Sequence, residues 1–229
     1  MPGIREELER QMFDSVTVIG SGRAGTAIAA RLCERDVAVR PNGDLVLLCV
    51  PDRAIAEVAG SLEPGPWIAH VSGATPLRAL DPHVLRFSVH PLQTLVLSRG
   101  PEQLDGAWGA VTAESDDAHQ RAVWLAEVLG LRPFALADDR RALYHAGAAV
   151  ASTFLVTLHR IAARLVADAG APPEALRPLM ERTIQNDFEL TGPLVRGDRE
   201  TIERHLAAIR TAAPEVEELY ATLTEATRA

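Results

Sequence analysis

Three glycines near the N-terminus have the spacing of a loop that binds phosphate groups. The stretch VIGSGRAG places Gly20, Gly22 and Gly25 in a G-x-G-x-x-G pattern, after a β-rich segment and before a segment of small residues. In a strand–turn–helix unit, the first glycine permits the tight turn, the second lets the backbone approach a pyrophosphate, and the third lets the helix pack on the strand. The helix N-terminus then faces the phosphates. The residues of this loop that we predict to bind a dinucleotide are Gly20, Ser21, Gly22, Arg23, Ala24 and Gly25.

A second set of candidate residues combines histidines with hydroxyl groups. It comprises His70, Ser72 and Gly73 in HVSGA, His90 and Gln93 in HPLQT, and Tyr144, His145 and Ser152 in YHAGAAVAST. The first two motifs follow predicted strands, and open α/β sheets bind ligands at the carboxyl ends of their strands. A single histidine is more often a core residue with satisfied hydrogen bonds, but the three motifs together favour a shared site.

His145 is the preferred proton donor of this set. Imidazole exchanges protons near neutral pH, whereas all 23 basic residues of the chain are arginines and none is lysine. An ammonium group is therefore excluded as proton donor or Schiff base, and arginine is a poor general acid because it stays charged. The helical spacing i, i+4, i+7 predicts that His145, Ala149 and Ser152 share one face of a helix.

Composition narrows the classes of partner. A formal net charge of −8 argues against general binding to nucleic-acid phosphates. No uninterrupted run of about 18 apolar residues occurs, which predicts that no segment spans a membrane. The N-terminal sequence MPGIREELERQ is polar and mixed in charge, unlike a signal peptide. Cys33 and Cys49 fit no metal-site spacing, so we predict reduced thiols in a cytoplasmic protein without a metal.

Strands that alternate with helices precede a region of helices alone. In residues 1–138, segments such as SVTVIG, DLVLLCV and WIAHVS alternate with helical ones, which predicts an α/β domain with a doubly wound, mostly parallel sheet. Residues 139–229 predict an all-helical domain that begins with one long helix from Arg140 to Ala169. From Ala142 to Leu158 this helix carries no formal charge except that of His145. We therefore predict that it is buried between two subunits or two domains.

The sequence between the first helix and the strand that begins at Asp44 is too short for the usual second strand and its helix. A dinucleotide site needs a second strand whose end contacts the adenosine ribose about 20 residues after the loop. That position is Arg40 in VAVRPNG, only four residues before the next predicted strand at Asp44. Since a parallel partner would need a crossover of about 10 residues or more, VAVR is either a short irregular edge or an antiparallel segment. Arg40 either grips a 2′-phosphate, which would favour NADP slightly over NAD, or is a solvated loop residue.

The motif ELTGPLVRGD, from Glu189 to Asp198, also allows two interpretations. Arg196 could clamp a carboxylate or a phosphate. The alternative is a structural turn followed by a helix with Asp198 as its N-cap.

In this order, the motifs resemble those of the Rossmann-like/DUF2520 family, within the 6-phosphogluconate-dehydrogenase-like superfamily and near ketopantoate and pyrroline-carboxylate reductases. The resemblance is carried by VIGSGRAGTAIAARL, LVLLCVPDRAIAEVA, HVSGA, SVHPLQTL, YHAGAAVAS and LTGPLVRGD. It implies an NAD(P)-binding domain, a helical dimerisation domain and a dehydrogenase activity, with ketopantoate among the candidate substrates. HVSGA is also similar to the substrate loop of β-hydroxyacid dehydrogenases, which implies that Ser72 and Gly73 contact substrate.

The chain departs from this family at two places. It lacks the full second strand and its helix, and it has Ser152-Thr153 where the family has Ser-Asn. The lost amide could have oriented a substrate, and Asn186 is the candidate replacement.

Two functions follow from these observations. The leading hypothesis is an NAD(P)-dependent oxidoreductase, a cytoplasmic homodimer that transfers a hydride to a small keto or imino acid. In it, Val50, Pro51 and Asp52 border the nicotinamide ribose, and Ser72, His90 and His145 are catalytic. The expected substrate-binding residues are His70, Gly73, Gln93, Tyr144, Ser152, Asn186 and Arg196. The alternative, motivated by the missing crossover, is a non-catalytic Rossmann-like dimer that binds a smaller nucleotide or another metabolite.

Overall fold

The structure, a computed structural model, describes residues 11–228. The first ten residues of the polar N-terminal sequence discussed above therefore lie outside the described part of the chain. The chain divides between Ala149 and Val150 into two compact units. This division falls within the helical region, whereas the sequence predicts a boundary just before it, between residues 138 and 139.

The first unit is a sheet with helices on both of its faces. Its strands are β1 (Ser15–Ile19), β2 (Ala38–Val39), β3 (Leu45–Leu48), β4 (Trp67–His70), β5 (Arg86–Leu92), β6 (Trp108–Ala113) and β7 (Arg132–Ala135). Its α-helices are α1 (Arg23–Glu34), α2 (Ile55–Gly60), α3 (Asp116–Val128) and α4 (Arg141–Ala149). The strand order is β2-β1-β3-β4-β5-β6-β7, and every neighbouring pair is parallel except β5 and β6. This arrangement confirms the predicted α/β, Rossmann-like class.

Alternating residues of the central strands form two apolar cores, one on each face of the sheet. In β3, Leu45 and Leu47 belong to the core that includes residues of α1 and α3. Val46 and Leu48, which point to the other face, pack with residues of the short helix α2. All four β3 residues are buried, as expected for a central strand of a parallel sheet.

The connection from β2 to β3 crosses β1 in only five residues, Arg40 to Asp44. β2 pairs in parallel with the start of β1, and β3 pairs in parallel with the opposite side of β1. Gly43 makes the crossing possible because it lies directly on the β1 backbone. A Cβ at this position would lie 2.8 Å from the Thr17 nitrogen and 2.9 Å from the Val16 carbonyl carbon.

The interpretation of VAVR as an antiparallel segment is therefore wrong, although the segment is a short edge. The expected minimum of about 10 residues applies when a helix, or a loop with side chains, passes over the sheet. Here Gly43 lies directly on the β1 backbone, so five residues are enough. Thr17 Oγ1 accepts a hydrogen bond from the Gly43 N–H at 2.8 Å and donates one to the Arg40 carbonyl oxygen at 2.9 Å. As the sequence predicts, no helix connects β2 and β3.

The second unit is helical throughout its regular elements. A π-helical turn, Val150–Phe154, precedes α5 (Leu155–Asp168), α6 (Leu176–Gln185), α7 (Arg199–Ala212) and α8 (Glu217–Arg228). Asp198 is the N-cap of α7, and its side chain accepts the Thr201 N–H at 3.0 Å. The capping alternative for ELTGPLVRGD is thus confirmed. In the π-helical turn the hydrogen bonds run from i to i+5, so the α-helical spacing that placed Ser152 on the His145 face does not hold there.

The long apolar helix is exposed in the single chain. In α4 only Arg141 is buried, in α5 no residue is buried, and Leu143 is 73% exposed. A single chain does not test burial between two subunits, which stays a prediction. By length and composition alone, the helical stretch from Asp138 to Asp168 could cross a membrane. Core helices of soluble proteins share this composition, so the absence of a membrane span stays a prediction.

We expect Gly43→Ala to destabilise the first unit, because the new methyl group would meet the β1 backbone rather than a flexible side chain. The expected loss in the free energy of unfolding is about 1–3 kcal/mol or more, measured by urea denaturation. Gly65→Ala is the matched control, since nothing lies within 4 Å of a Cβ at Gly65. Equal midpoints for the two variants would show that the crossing does not depend on the glycine contact.

Candidate functional site

The glycine loop has the geometry of a phosphate cradle. Gly20 has a φ of +114°, and a Cβ there would meet the Cys49 carbonyl oxygen and lie 2.7 Å from the Cys49 carbonyl carbon. A Cβ on Gly25 would meet the Gly20 carbonyl oxygen. In contrast, nothing lies within 4 Å of a Cβ on Gly22. The first and third glycines are therefore required by packing, while the space over the second is open to a ligand.

The segment VPD lies beside this loop. β3 neighbours β1 in the sheet, and the residues that follow each strand emerge at the same edge. A Cβ on Gly20 would lie 3.2 Å from the Val50 nitrogen, which shows how closely the two loops approach. Pro51 and Asp52 are exposed and Val50 is half-buried, so this segment can border a molecule that binds over the glycine loop.

Arg40 lies at the other end of the sheet. β2 ends level with Val16, whereas β1 continues to Ile19 before the glycine loop begins. The Arg40 guanidinium hydrogen-bonds to Ser15 Oγ at 3.1 Å, at the start of β1. Three strand residues span about 10 Å, so the structure does not bring Arg40 together with the glycine loop. Among residues 11–228, no strand ends beside the part of the glycine loop where an adenosine ribose would lie.

A buried arginine that the sequence analysis missed holds the second group of candidates. Arg141, at the start of α4, is 1% exposed. Its Nη1 donates to Ser88 Oγ at 2.6 Å and to Thr112 Oγ1 at 2.8 Å, and its Nη2 donates to the Ser72 carbonyl oxygen. Its Nε lies 3.9 Å from Asp138 Oδ1. One guanidinium thus joins α4 to β5, β6 and the loop after β4. The sequence signal for this role was an arginine directly before the uncharged stretch Ala142–Leu158.

Three aromatic rings and a glycine meet above this arginine. Tyr144 and His145 follow Arg141 by three and four residues, so the same turn of α4 carries them towards β5. Tyr144 Oη lies 2.8 Å from His90 Nδ1, and the His90 and His145 rings are 5.9 Å apart at 74°. A Cβ on Gly73 would lie 2.6 Å from His145 Cδ2 and 2.9 Å from His90 Nε2. Only a glycine leaves room for both imidazoles at this position.

Burial keeps His90 and Tyr144 uncharged. Burial, then the neighbouring His145 and Arg141 charges, lower the pKa of His90 to about 4 against a smaller opposing effect of Asp52. Burial raises the pKa of Tyr144 to about 12, partly opposed by Arg141. At neutral pH His90 is therefore a neutral imidazole and Tyr144 a neutral phenol.

Other predicted residues of this set are engaged in the protein itself. His70 is fully buried and its Nδ1 accepts the Ser72 N–H at 3.2 Å, while its Nε2 has no partner among the described residues. Ser72 Oγ accepts the Thr75 N–H at 3.0 Å and hydrogen-bonds to Thr75 Oγ1. Gln93 is exposed directly after β5.

The remaining substrate-binding candidates lie in the second unit. Ser152 is half-buried within the π-helical turn, Asn186 is exposed at the end of α6, and Arg196 is exposed before α7. Their roles stay predictions. In the part of the chain that the structure describes, no group of three or more His, Cys, Asp or Glu side chains could hold a metal ion.

Comparisons with known proteins agree with this fold. The family described as a domain of unknown function, DUF2520, matches residues 107–227, slightly more than half of the chain. The "putative NADP oxidoreductase" of Bacteroides fragilis is 21% identical with a TM-score of 0.80, over 94% of this chain and 98% of that chain. A Thermotoga maritima protein is 22% identical with a TM-score of 0.73, over 92% and 99%.

A more distant structure has the same fold. The Plasmodium falciparum pyrroline carboxylate reductase, solved with NADP bound, is 10% identical with a TM-score of 0.59, over 95% of this chain and 99% of that chain. At these identities the likeness shows a common fold. No curated protein matches the sequence significantly.

We expect the folded state to lose stability in acid because of His70. Burial first, then Arg141 and His90, lower the pKa of His70 from 6.5 to about 3 in the folded protein. Below about pH 6.5 the unfolded chain therefore binds a proton that the folded chain does not, and the free energy of unfolding falls as the pH falls towards 3. His70 contributes up to about 1.4 kcal/mol per pH unit to this slope.

The variant His70→Asn isolates this contribution. Its amide oxygen can accept the Ser72 N–H in place of Nδ1, but it does not titrate. Urea denaturation between pH 7 and pH 4.5 should give a shallower slope for His70→Asn, with His119→Asn, at an exposed position, as the control. Equal slopes for all three proteins would contradict the assignment.

Proposed function

We propose that this chain, which belongs to the DUF2520 family, is an NAD(P)-dependent oxidoreductase that reduces a small keto or imino acid. The observation that carries the proposal is the position of two groups at one edge of the sheet. The open phosphate cradle follows β1, and the His90–His145 cluster lies at the ends of β4 and β5, which are two and three strands further along the sheet. The fold shared with the Bacteroides "putative NADP oxidoreductase" and with the Plasmodium reductase, solved with NADP bound, supports a nicotinamide cofactor.

The residues of the cradle fit the pyrophosphate half of such a cofactor. Gly22 leaves open space over the backbone, and Arg23 is an exposed cation in the first turn of α1. Val50, Pro51 and Asp52 would border the ribose that carries the nicotinamide. When bound, the reduced nicotinamide supplies a hydride. Arg40 gives no support for NADP over NAD, because it lies at the opposite end of β1.

The histidine cluster would supply the proton. Reduction adds a hydride to the carbonyl or imine carbon and a proton to its oxygen or nitrogen, so the product is a hydroxy acid from a keto acid or an amino acid from an imino acid. His145 is half-buried beside Gly73 and donates this proton, which it then regains from solvent. Gly73 allows both imidazoles to meet, because they pack on its backbone where a side chain would otherwise lie. Ser72 shapes this loop through its hydrogen bonds to Thr75.

One observation favours a second candidate function. β2 stops three residues short of the end of β1, so within the described residues no strand end flanks the adenosine side of the glycine loop. A ligand that has phosphates but no adenosine on that side of the loop would not need a strand end there. The alternative is therefore a Rossmann-like dimer that binds a smaller nucleotide without catalysis.

Calorimetry and turnover measurements separate the two functions. We expect NADPH or NADH to bind more tightly than AMP, and to be oxidised with ketopantoate or another small keto acid. Gly22→Ala should fold normally, because its methyl group meets open space, but should bind the dinucleotide at least about tenfold more weakly as it obstructs the pyrophosphate. His145→Ala should lower kcat by about 10²–10⁴-fold while the dinucleotide affinity is unchanged.

His119→Ala is the matched control for turnover, because His119 is exposed on α3. Its kcat should equal that of the unmodified protein. Oxidation that is absent with every keto acid, or that is equal in His145→Ala and the unmodified protein, would reject the catalytic role. AMP binding as tight as that of NADPH would support the second candidate function.

We also propose a homodimer formed through the helical region. Exposed apolar side chains continue along the helix in the second unit, where Val150 is 58%, Phe154 55% and Val156 51% exposed. Monomeric proteins rarely leave contiguous apolar surface of this kind uncovered, and a second copy of the chain would cover it. If a second copy covers these apolar side chains, the helix does not have to bind a membrane. Nucleic acid is not an expected partner of a chain with a net charge of −8.

Light scattering tests the dimer. We expect twice the mass of 24.7 kDa for the unmodified protein, and the mass of a monomer for Phe154→Glu because a buried carboxylate is costly. Val84→Glu, at a residue that is 87% exposed in the first unit, should remain dimeric. A monomeric unmodified protein, or one that sediments with phospholipid vesicles, would contradict the proposal.

The cysteines fit a cytoplasmic location, which we also propose. Cys33 and Cys49 are both free. Burial raises the pKa of the Cys49 thiol to about 12, which keeps it protonated and unreactive.

A further inference from the structure

Tyr144 and His90 form a hydrogen-bonded pair inside the candidate site. We propose that Tyr144 is a positioning residue that fixes His90 with its proton on Nε2, so that His90 donates a hydrogen bond to the substrate oxygen beside Gly73 without carrying a charge. The inference rests on the proposed function for the identity of that oxygen. The tautomer itself can be measured without any substrate.

The direction of the hydrogen bond follows from the partners of each group. Tyr144 Oη and His90 Nδ1 are 2.8 Å apart, and the two rings meet edge-on at 86°. If the phenol donates to Nδ1, one bond satisfies both the phenol hydrogen and the ring lone pair. In the reverse direction the phenol hydrogen would need another acceptor, and Tyr144 Oη makes no other hydrogen bond among the described residues. The first arrangement places the imidazole proton on Nε2.

Nε2 borders the space that a side chain at Gly73 would occupy, and the two imidazoles fill that space. A Cβ on Gly73 would lie 2.9 Å from His90 Nε2 and 2.8 Å from His90 Cε1. His145 borders the same space, with its Cδ2 2.6 Å from that position. A substrate oxygen that meets Nε2 outside this glycine contact would accept a hydrogen bond from His90, with His145 beside it.

The charges around His90 favour a donor that stays neutral. Arg141 is a buried, permanent cation on α4, and His145 lies on the same helix, one residue after Tyr144. Asp52, in the loop after β3, acts in the opposite direction, but the sum of burial, His145 and Arg141 lowers the pKa of His90 to about 4. His90 therefore binds no second proton across the physiological pH range.

This arrangement divides the chemistry between two histidines. His90 polarises the carbonyl or imine bond through a fixed hydrogen bond, and its own protonation state does not change. His145 supplies the proton that the reduction consumes. A neutral imidazole donor costs no reorganisation during the reaction, because its orientation is set beforehand by Tyr144.

The test compares Tyr144→Phe with Tyr220→Phe. Tyr220 makes the same contact elsewhere, with its Oη 2.8 Å from His205 Nδ1 and the rings at 87°, but on the surface of the second unit. Phenylalanine retains the ring contact that Tyr144 makes with Phe134. The measurements are the nitrogen-15 chemical shifts of His90 in the unmodified protein and both variants from pH 5 to 8, and the kinetic constants.

We expect the unmodified protein to show His90 as the Nε2–H tautomer from pH 5 to 8. Tyr144→Phe should give a mixture of tautomers and lower kcat by about tenfold or more, with KM for the nicotinamide cofactor unchanged. Tyr220→Phe should change neither the His90 signals nor kcat. The Nδ1–H tautomer in the unmodified protein, or titration of His90 between pH 6 and 7, would overturn the inference. The Nε2–H tautomer together with no turnover would support the positioning role and reject the proposed function instead.

Discussion

The buried guanidinium of Arg141 is the contact on which the candidate site depends. His70, Ser88 and Thr112 are direct cross-strand neighbours on β4, β5 and β6, and they form a polar row inside the sheet. Buried hydroxyl groups need hydrogen-bond partners. Arg141 supplies donors to Ser88, Thr112 and the Ser72 carbonyl oxygen at once, which the fork of a guanidinium can do and a single ammonium group cannot do in the same geometry.

The same contact sets both the geometry and the electrostatics of the site. It holds the first turn of α4 against the sheet, and this turn carries Tyr144 and His145 to His90. It also places a permanent positive charge beneath two histidines, which, together with burial, keeps His70 and His90 neutral. The site therefore combines neutral donors with a fixed cation that a ligand cannot reach, since Arg141 is 1% exposed.

The truncation of the fold affects the other half of the edge. Gly43 lies on the β1 backbone and lets the chain pass from β2 to β3 in five residues. The glycine loop is preserved, because its requirements are local to β1, α1 and the end of β3. Because of the short crossing, β2 ends before it reaches that loop. The part of the loop that could bind phosphates is therefore intact, whereas the described residues place no strand end on its adenosine side.

Local patterns in the sequence determined the class of the fold, the glycine loop, the Asp198 cap and the order of strands and helices, because each depends on residues close together in the chain. Only the tertiary structure decided three further points. Gly43 could form a parallel crossing because it meets a backbone 26 residues away in sequence, at Thr17. Arg40 turned to the start of β1, and Arg141 became the centre of the site. These outcomes depend on which distant atoms meet, and residue spacing along the chain does not contain that information.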